Sequence, residues 1–146
     1  MIQASPTVLQ SDYPGALQAC AAGGRWNGTL VKGVICPAFN IRMGYPETMA
    51  ALVLPVKDDT DVPEAWYDMA VEFHRRFSPT LIHCLAGQNR SVIFGAALLF
   101  GDGMDLNEAL KKLATVPVYG SLLASLKRWA TGRGWKGTVT IAANDR

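Results

Sequence analysis

Cys84 and Arg90 are the residues of this sequence whose types and spacing best suit a chemical reaction. Five residues separate them, Gly87 lies between them, and Ser91 follows the arginine. A loop of this length can wrap around one tetrahedral oxyanion, because successive backbone amides and the planar fork of arginine can point inward at its oxygens. Gly87 permits the tight curvature that such a loop needs. The spacing therefore predicts an oxyanion-binding loop with a thiol at its base.

The chemistry expected of this loop is phosphoryl transfer through cysteine. A helix N-terminus and a nearby arginine stabilise a thiolate, so Cys84 is expected to attack phosphorus and form a covalent thiophosphoryl intermediate. Ser91 could donate a hydrogen bond to the sulfur when the intermediate breaks down, and His83 is expected to orient the loop, since a thiolate needs no base. The residues predicted to bind the phosphate group are Leu85, Ala86, Gly87, Gln88, Asn89 and Arg90.

The leaving oxygen needs a proton, and a carboxylic acid on a neighbouring loop is the expected donor. Asp58, just after the apolar run at 54–56, is the candidate for this general acid, and Asp59 is its nearest competitor. Asp61 is better explained as a helix cap, because Glu64 follows three residues later. The same carboxylate could then activate water against the thiophosphate. This mechanism uses no metal and no cofactor.

The elements around the loop predict an α/β fold. Short apolar runs at 30–36, 51–56 and 80–83 indicate buried strands, and 139–142 is a weaker candidate for a further strand. Apolar stripes at helical spacing predict helices beginning near Asp61 and at 105 and 120, while 92–100 has almost no polar face and must be a buried helix. We expect a single domain with a central, mostly parallel sheet of about four to five strands flanked by helices. The loop would lie between a strand and the buried helix, at the carboxyl edge of the sheet.

Composition indicates one globular domain over residues 1–146. Apolar residues make up 49% of the chain, and the formal net charge of +2 is too small to favour nucleic acid or an acidic membrane as a partner. The longest apolar stretch, 92–100, is too short to cross a bilayer. Three cysteines in no metal-binding pattern fit a soluble protein of the reducing cytoplasm. Cys20 and Cys36 are interpreted as structural, with a redox partnership between Cys36 and Cys84 left open.

Two expectations concern side chains away from the loop. His74, which precedes two arginines on a predicted helix, is expected to be a solvated surface residue. Trp129 and Trp135 lie among basic residues near the C-terminus, where a nucleic-acid surface is conceivable. Packing into the core is the favoured interpretation of both tryptophans.

The pattern His-Cys-x-x-Gly-x-x-Arg-Ser resembles the signature loop of the cysteine-based protein tyrosine phosphatases, especially their dual-specificity branch. Leu54-Pro55-Val56-Lys57-Asp58 is similar to the general-acid loop of that family, and the resemblance covers about residues 28–131. It implies that Cys84 is the nucleophile, Arg90 the phosphate ligand, Ser91 the thiolate stabiliser and Asp58 the general acid. It also implies phosphorylated proteins or small phosphomonoesters as substrates.

Several alternatives remain beside this interpretation. Asn89 stands where many members of the branch carry Ser or Gly, and Asn there is similar to the loop of the RNA 5'-triphosphatase relatives. Phosphoinositides also remain open as substrates. A rhodanese-like sulfurtransferase would use a cysteine in a similar loop, but Arg90, Ser91 and Asp58 argue against it. A non-catalytic phosphopeptide-binding module would need the amides and the arginine but not the thiol of Cys84.

Overall fold

The computed structural model describes residues 1–58 and 60–144 and contains nine strands and five helices in that part of the chain. The strands are β1 Ile2–Gln3, β2 Val8–Ser11, β3 Arg25–Trp26, β4 Thr29–Leu30, β5 Gly33–Cys36, β6 Ala50–Val53, β7 Thr80–His83, β8 Val118–Tyr119 and β9 Ala143–Asn144. The helices are α1 Tyr13–Ala21, α2 Glu64–Phe77, α3 Arg90–Gly101, α4 Leu106–Leu113 and α5 Gly120–Thr131.

A five-stranded sheet in the order β1-β2-β7-β5-β6 forms the centre of the molecule. Strands β2, β7, β5 and β6 are parallel to one another, and β1 pairs with β2 in the antiparallel direction. The strand that leads into the predicted loop, β7, therefore lies in the middle of the sheet, between β2 and β5. This confirms the expected α/β fold with a mostly parallel sheet of about four to five strands.

Alternating side chains divide the core between the two faces of the sheet, because successive residues of a strand point to opposite sides. Val8, Ile35 and Ile82 belong to the large cluster that contains residues of helices α2 to α5. Leu9, Val34 and Leu81, each next to one of these, belong to a smaller cluster with Ala16 and Ala19 of α1. The sheet is therefore covered on both faces, as parallel sheets require.

Helix α3 runs through the large cluster and is buried from Arg90 to Leu99. It contacts α2, α4 and α5 as well as strands β2 and β7. The prediction of a buried helix directly after the loop is confirmed. Among the described residues, no helix combines the length and the apolar character needed to cross a bilayer.

The N-terminal elements β1, β2 and α1 were not predicted from the sequence. Strand β2 carries two polar residues, Gln10 and Ser11, in four positions, so it lacks an apolar run. All four of its residues are nevertheless buried, because helices cover both faces of the sheet at this strand. This unpredicted strand lies directly beside β7 in the sheet, with Ser11 opposite His83.

Two further expectations were wrong. Residues 139–142 form no strand, and the C-terminal strand is instead β9, which pairs with β8 outside the central sheet. Asp61 does not cap α2, whose N-cap is Pro63, and its carboxylate binds Arg128 of α5 at 2.7 Å instead. The cap predicted for the next helix is confirmed, since the Asp105 side chain accepts from the amides of Asn107 and Glu108.

The expectation that His74 is a solvated surface residue was also wrong, since this residue is only 2% exposed. Its Nδ1 lies 2.8 Å from Thr80 Oγ1 and its Nε2 lies 2.9 Å from Asp102 Oδ2. Both partners come from other elements, at the start of β7 and the end of α3, so the flanking arginines gave no sign of them. Trp129 and Trp135 are buried, which confirms the packing interpretation.

Candidate active site

The predicted loop leaves the carboxyl end of β7 at Cys84 and enters α3 at Arg90. Cys84 is 2% exposed, whereas Leu85, the next residue, is 50% exposed. Ala86 and Gln88 are exposed as well. The loop therefore has its thiol at the base and opens to solvent at its rim, with the N-terminus of a helix behind it. This arrangement places backbone donors and the positive end of a helix dipole next to the sulfur.

Ser91 touches the sulfur of Cys84. Its Oγ lies 3.1 Å from Cys84 Sγ and is buried in the first turn of α3. A hydroxyl at this distance can donate to a thiolate or accept from a thiol. The structure thus brings together the two residues that the sequence placed seven positions apart.

Arg90 is a buried guanidinium, only 1% exposed, at the same helix start. Its Nη1 donates to Asn40 Oδ1 at 2.9 Å and to the carbonyl oxygen of Val56 at 3.1 Å. Its Nε lies 2.9 Å from Asp58 Oδ1 in an ion pair. The Nε hydrogen does not point at that carboxylate, and among the described residues it has no hydrogen-bond acceptor. A buried cationic donor without an acceptor is costly, and an anion at this position would satisfy it.

The segment from 54 to 58 brings the predicted general acid to the loop. The Asp58 side chain is 48% exposed and reaches Arg90 from the solvent side. The carbonyl oxygen of Val56, two residues earlier in the segment, accepts a hydrogen bond from the same guanidinium. Asp59, the competing candidate, lies outside the described residues. Asp61 is bound to Arg128 and is not drawn into this group of contacts.

His83 lies directly before the cysteine and is fully buried. Burial lowers the pKa of its imidazole from 6.5 to about 4, so the ring is neutral near pH 7. Its Nε2 is 2.8 Å from the hydroxyl of Tyr45, whose own pKa is raised, chiefly by burial. A neutral ring bonded to a protonated phenol fits an orienting residue better than a base.

Gly87 meets two requirements in the loop. Its φ of +72° is a conformation that favours glycine, and an added Cβ would lie 2.9 Å from the amide nitrogen of Asp12. The amide of Tyr13 donates to the carbonyl of Leu85 at 3.0 Å. The outer side of the loop therefore rests on the backbone where β2 leads into α1.

Asn89 has a structural partner of its own. Its Oδ1 accepts a hydrogen bond from the amide of Tyr119, directly before α5, at 2.8 Å. The Asn89 side chain thus connects the loop to a neighbouring element. This contact gives Asn89 a role that involves no particular substrate.

Cys36, at the end of β5, packs in one small buried cluster with Cys84, Ala38 and Ile41. Burial raises the pKa of the Cys36 thiol, and the neighbouring Cys84 acts in the same direction. The thiols of Cys20, Cys36 and Cys84 are all free. Cys36 and Cys84, whose proximity the sequence could not show, thus lie in the same cluster of the fold.

Three residues of the site were missed in the sequence: Gln10, Asn40 and Tyr45. Gln10 Nε2 donates to the carbonyl of Gly87 and to Ser91 Oγ, both at 2.7 Å. Asn40 and Tyr45 follow β5 in a segment without regular structure. Of the three, only Gln10 could have been suspected from the sequence, because it directly follows the apolar pair Val8-Leu9, which could belong to a short buried strand.

Comparisons with known proteins support the fold. Neither a model of a protein family nor a curated protein matches the sequence. Human DUSP28 superposes with a TM-score of 0.73 at 17% identity, over 91% of this chain and 97% of that one. The human tyrosine phosphatase-like serine/threonine/tyrosine-interacting protein gives a TM-score of 0.69 at 18% identity, over 90% and 95%. PTPMT1 in complex with PI(5)P gives 0.64 at 20% identity, over 89% and 94%.

These structures match nine tenths of this chain at identities too low to carry function across. The likeness concerns the fold as a whole, a mostly parallel central sheet flanked by five helices. The chain therefore has the fold of the dual-specificity branch of the cysteine-based protein tyrosine phosphatases.

Proposed function

We propose that this chain is a cysteine-dependent phosphomonoester hydrolase of the protein tyrosine and dual-specificity type, with residues 1–146 forming one phosphatase domain. The observation that carries the proposal is the buried guanidinium of Arg90 beside the Cys84 and Ser91 pair. Its Nε hydrogen has no acceptor among the described residues. A phosphate oxygen bound there would bring phosphorus next to the sulfur.

The first chemical step is transfer of the phosphoryl group to Cys84. The thiolate attacks phosphorus, the S–P bond forms, and the bond from phosphorus to the leaving oxygen breaks. Arg90 and the amides of residues 85–90 hold the three equatorial oxygens. Asp58 gives its proton to the leaving oxygen, and the 2.9 Å between its carboxylate and Arg90 Nε supports its position beside the phosphate site. We expect a bound phosphate to take over the Nε edge of Arg90 and displace this carboxylate toward the leaving group.

The second step returns the enzyme to its starting state. A water molecule attacks phosphorus, gives a proton to the Asp58 carboxylate and releases inorganic phosphate. The electron pair of the breaking S–P bond returns to Cys84 Sγ as a thiolate. Ser91 Oγ, 3.1 Å away, donates a hydrogen bond to that thiolate as it forms.

The proposed substrates are phosphorylated proteins or small phosphomonoesters. Two exposed apolar side chains support access by such groups: Leu85 at the rim of the loop, and Phe39 beside Lys57 on the segment next to the general-acid loop. Because the mechanism needs a reduced thiol and all three thiols are free, we place the protein in the reducing cytoplasm. A phosphoinositide is the second substrate class to assay, since the structure of PTPMT1 holds PI(5)P.

The test is hydrolysis of para-nitrophenyl phosphate and of phenyl phosphate, in EDTA and across a pH series. We expect Cys84→Ser to reduce the rate to background and Asp58→Asn to lower kcat for phenyl phosphate by about 10²-fold. The loss in Asp58→Asn should be smaller with para-nitrophenyl phosphate, whose leaving group needs a proton less. A phosphotyrosine peptide and a phosphoinositide, assayed by phosphate release, then rank the substrate classes.

Asp59→Asn is the matched control for the acid. If Asp59→Asn alone shows the dependence on the leaving group, then Asp59 is the acid and Asp58 is only a partner of Arg90. Activity that survives Cys84→Ser would refute the cysteine mechanism. An inactive, folded parent protein that still binds a phosphopeptide would favour a binding module.

A further inference from the structure

Gln10 is a buried polar residue on a strand of the central sheet, and the phosphatase mechanism leaves it without a role. It is 2% exposed and lies on β2, next to Val8 and Leu9, which are fully buried. Because side chains two residues apart share a face, Gln10 points to the same side as Val8, toward α3. An apolar residue would fit this environment without needing partners, whereas a buried amide requires them.

The orientation of the Gln10 amide follows from its partners. Nε2 lies 2.7 Å from the carbonyl oxygen of Gly87 and 2.7 Å from Ser91 Oγ. A carbonyl can only accept, so the nitrogen and not the oxygen of the amide must face the loop. Its two hydrogens serve these two acceptors. Ser91 Oγ therefore accepts one hydrogen bond from Gln10.

This hydrogen bond determines what the Ser91 hydroxyl can do. The hydroxyl has one proton, and its other hydrogen-bonding contact within residues 1–58 and 60–144 is Cys84 Sγ at 3.1 Å. A thiolate has no proton, so it can only accept, and the Ser91 proton must point at it. A hydroxyl that accepts a hydrogen bond is a stronger donor, because hydrogen bonds in a chain polarise one another. The three side chains thus form a chain of donors that runs from Gln10 through Ser91 to Cys84.

We propose that Gln10 is a positioning residue for the cysteine chemistry, which acts by directing the Ser91 hydroxyl at the Cys84 thiolate while it holds the Gly87 carbonyl of the loop. The inference rests on the proposed function. It applies to both steps, because the thiolate is the nucleophile in the first and the leaving group in the second. In the second step the S–P bond breaks, its electron pair goes to Sγ, and the water proton goes to Asp58.

The test replaces Gln10 with leucine, which has nearly the same shape and no donor. We expect breakdown of the phosphoenzyme to slow by about tenfold, which is the effect of one lost hydrogen bond. Rapid-quench experiments with para-nitrophenyl phosphate as the substrate measure this rate. The pH midpoint for alkylation of Cys84 by iodoacetamide should move to higher pH. Gln10→Met, which is unbranched and flexible, provides the same measurement if Gln10→Leu does not fold.

Ser91→Ala and the double variant distinguish a role through Ser91 from a general loosening of the loop. If Gln10 acts through Ser91, adding Gln10→Leu to Ser91→Ala should slow breakdown less than about twofold. The proposal would be overturned if the two substitutions slowed breakdown in the double variant by the product of their single effects. A folded Gln10→Leu protein with unchanged phosphoenzyme breakdown and unchanged alkylation of Cys84 would overturn it as well. Tyr67→Phe, which removes a buried hydrogen bond outside the site, should change neither quantity.

The two proposals fail in different ways. Alkylation measures the thiol itself and needs no turnover, so it tests Gln10 even if the chain hydrolyses no phosphate. Absence of any phosphoenzyme in the parent protein would count against the proposed function. A shifted alkylation profile in Gln10→Leu would still support the chain of donors.

Discussion

Burial makes His83 a neutral residue directly before the proposed nucleophile. Its imidazole has little contact with water and lies against the hydroxyl of Tyr45, so protonation would place a charge in an apolar setting. Arg90 is also buried but, unlike His83, it stays charged. Its guanidinium is bound by Asn40, Val56 and Asp58. At the scale of the residue, His83 is therefore neutral while Arg90 stays charged, and a buried guanidinium suits an anionic ligand.

The first prediction concerns the titration of His83. Its pKa of about 4 in the fold and its ordinary value of 6.5 mean that the unfolded chain binds more protons between these pH values. The contribution of His83 to the free energy of unfolding must therefore fall as pH drops from 6.5 to 4. It reaches a penalty of about 3 kcal/mol below that range.

NMR titration of the histidine ring protons measures this directly. The chain has two histidines, so His74→Gln identifies the signal of His83. We expect the His83 signal to stay in its neutral position at pH 5 and to move only near pH 4. A midpoint near 6.5 would mean that the ring is solvated and would remove the basis for its orienting role.

At the scale of the element, the loop after β7 owes its shape to the backbone on which it rests. Gly87 approaches the amide of Asp12, the Tyr13 amide binds the Leu85 carbonyl, and Gln10 binds the Gly87 carbonyl. All of these contacts come from the end of β2 and the start of α1. The N-terminal elements therefore support the loop and do more than complete the sheet.

The second prediction compares two glycines with positive φ. Gly87→Ala combines a strained backbone with a clash at 2.9 Å, whereas Gly103→Ala, at φ +102°, meets no atom within 4 Å. We expect each variant to lose about 1–2 kcal/mol of unfolding free energy from backbone strain, and Gly87→Ala to lose more from the clash. Only Gly87→Ala should lower kcat/KM, by about tenfold or more. Urea unfolding and steady-state kinetics give the two numbers, and equal activity in both variants would contradict the structural role assigned to Gly87.

At the scale of the whole molecule, α2, α3 and α5 pack together on one face of the sheet. Tyr67 of α2 lies between the rings of Phe94 and Trp129, at centroid distances of 4.8 Å and 5.4 Å. Its hydroxyl is 2.7 Å from Ser125 Oγ of α5, which in turn donates to the carbonyl of Leu122. Because the serine proton is used there, Tyr67 is the donor to Ser125.

The third prediction follows from that direction. Ser125→Ala leaves the buried Tyr67 hydroxyl without an acceptor and should cost about 1–3 kcal/mol of unfolding free energy. Tyr67→Phe leaves Ser125 bonded to Leu122 and should cost only about 1 kcal/mol. Urea unfolding measures both, and kcat should be unchanged in each variant. A larger loss in Tyr67→Phe would show that the donor direction is the reverse.

Sequence patterns predicted the strand, the loop and the buried helix, with Cys84, Gly87, Arg90 and Ser91 at their positions in them. This succeeded because one short stretch of chain supplies these groups, so local geometry sets their relation. The general fold followed from apolar periodicity for the same reason. Asp58 was predicted from its position after an apolar run, and its carboxylate lies 2.9 Å from Arg90 Nε, while its role as the general acid stays a prediction.

The residues that surround the loop could be identified only in the folded protein. Gln10 lies 81 positions from Ser91, and Asn40 lies 50 from Arg90. His74 is buried because Thr80 and Asp102 meet it from two other elements. A hydrophobic pattern shows which face of an element is buried, but it does not show which polar group of a distant segment will lie opposite. Hydrogen bonds between such segments depend on the order of strands in the sheet, and that order is set by packing of the whole chain.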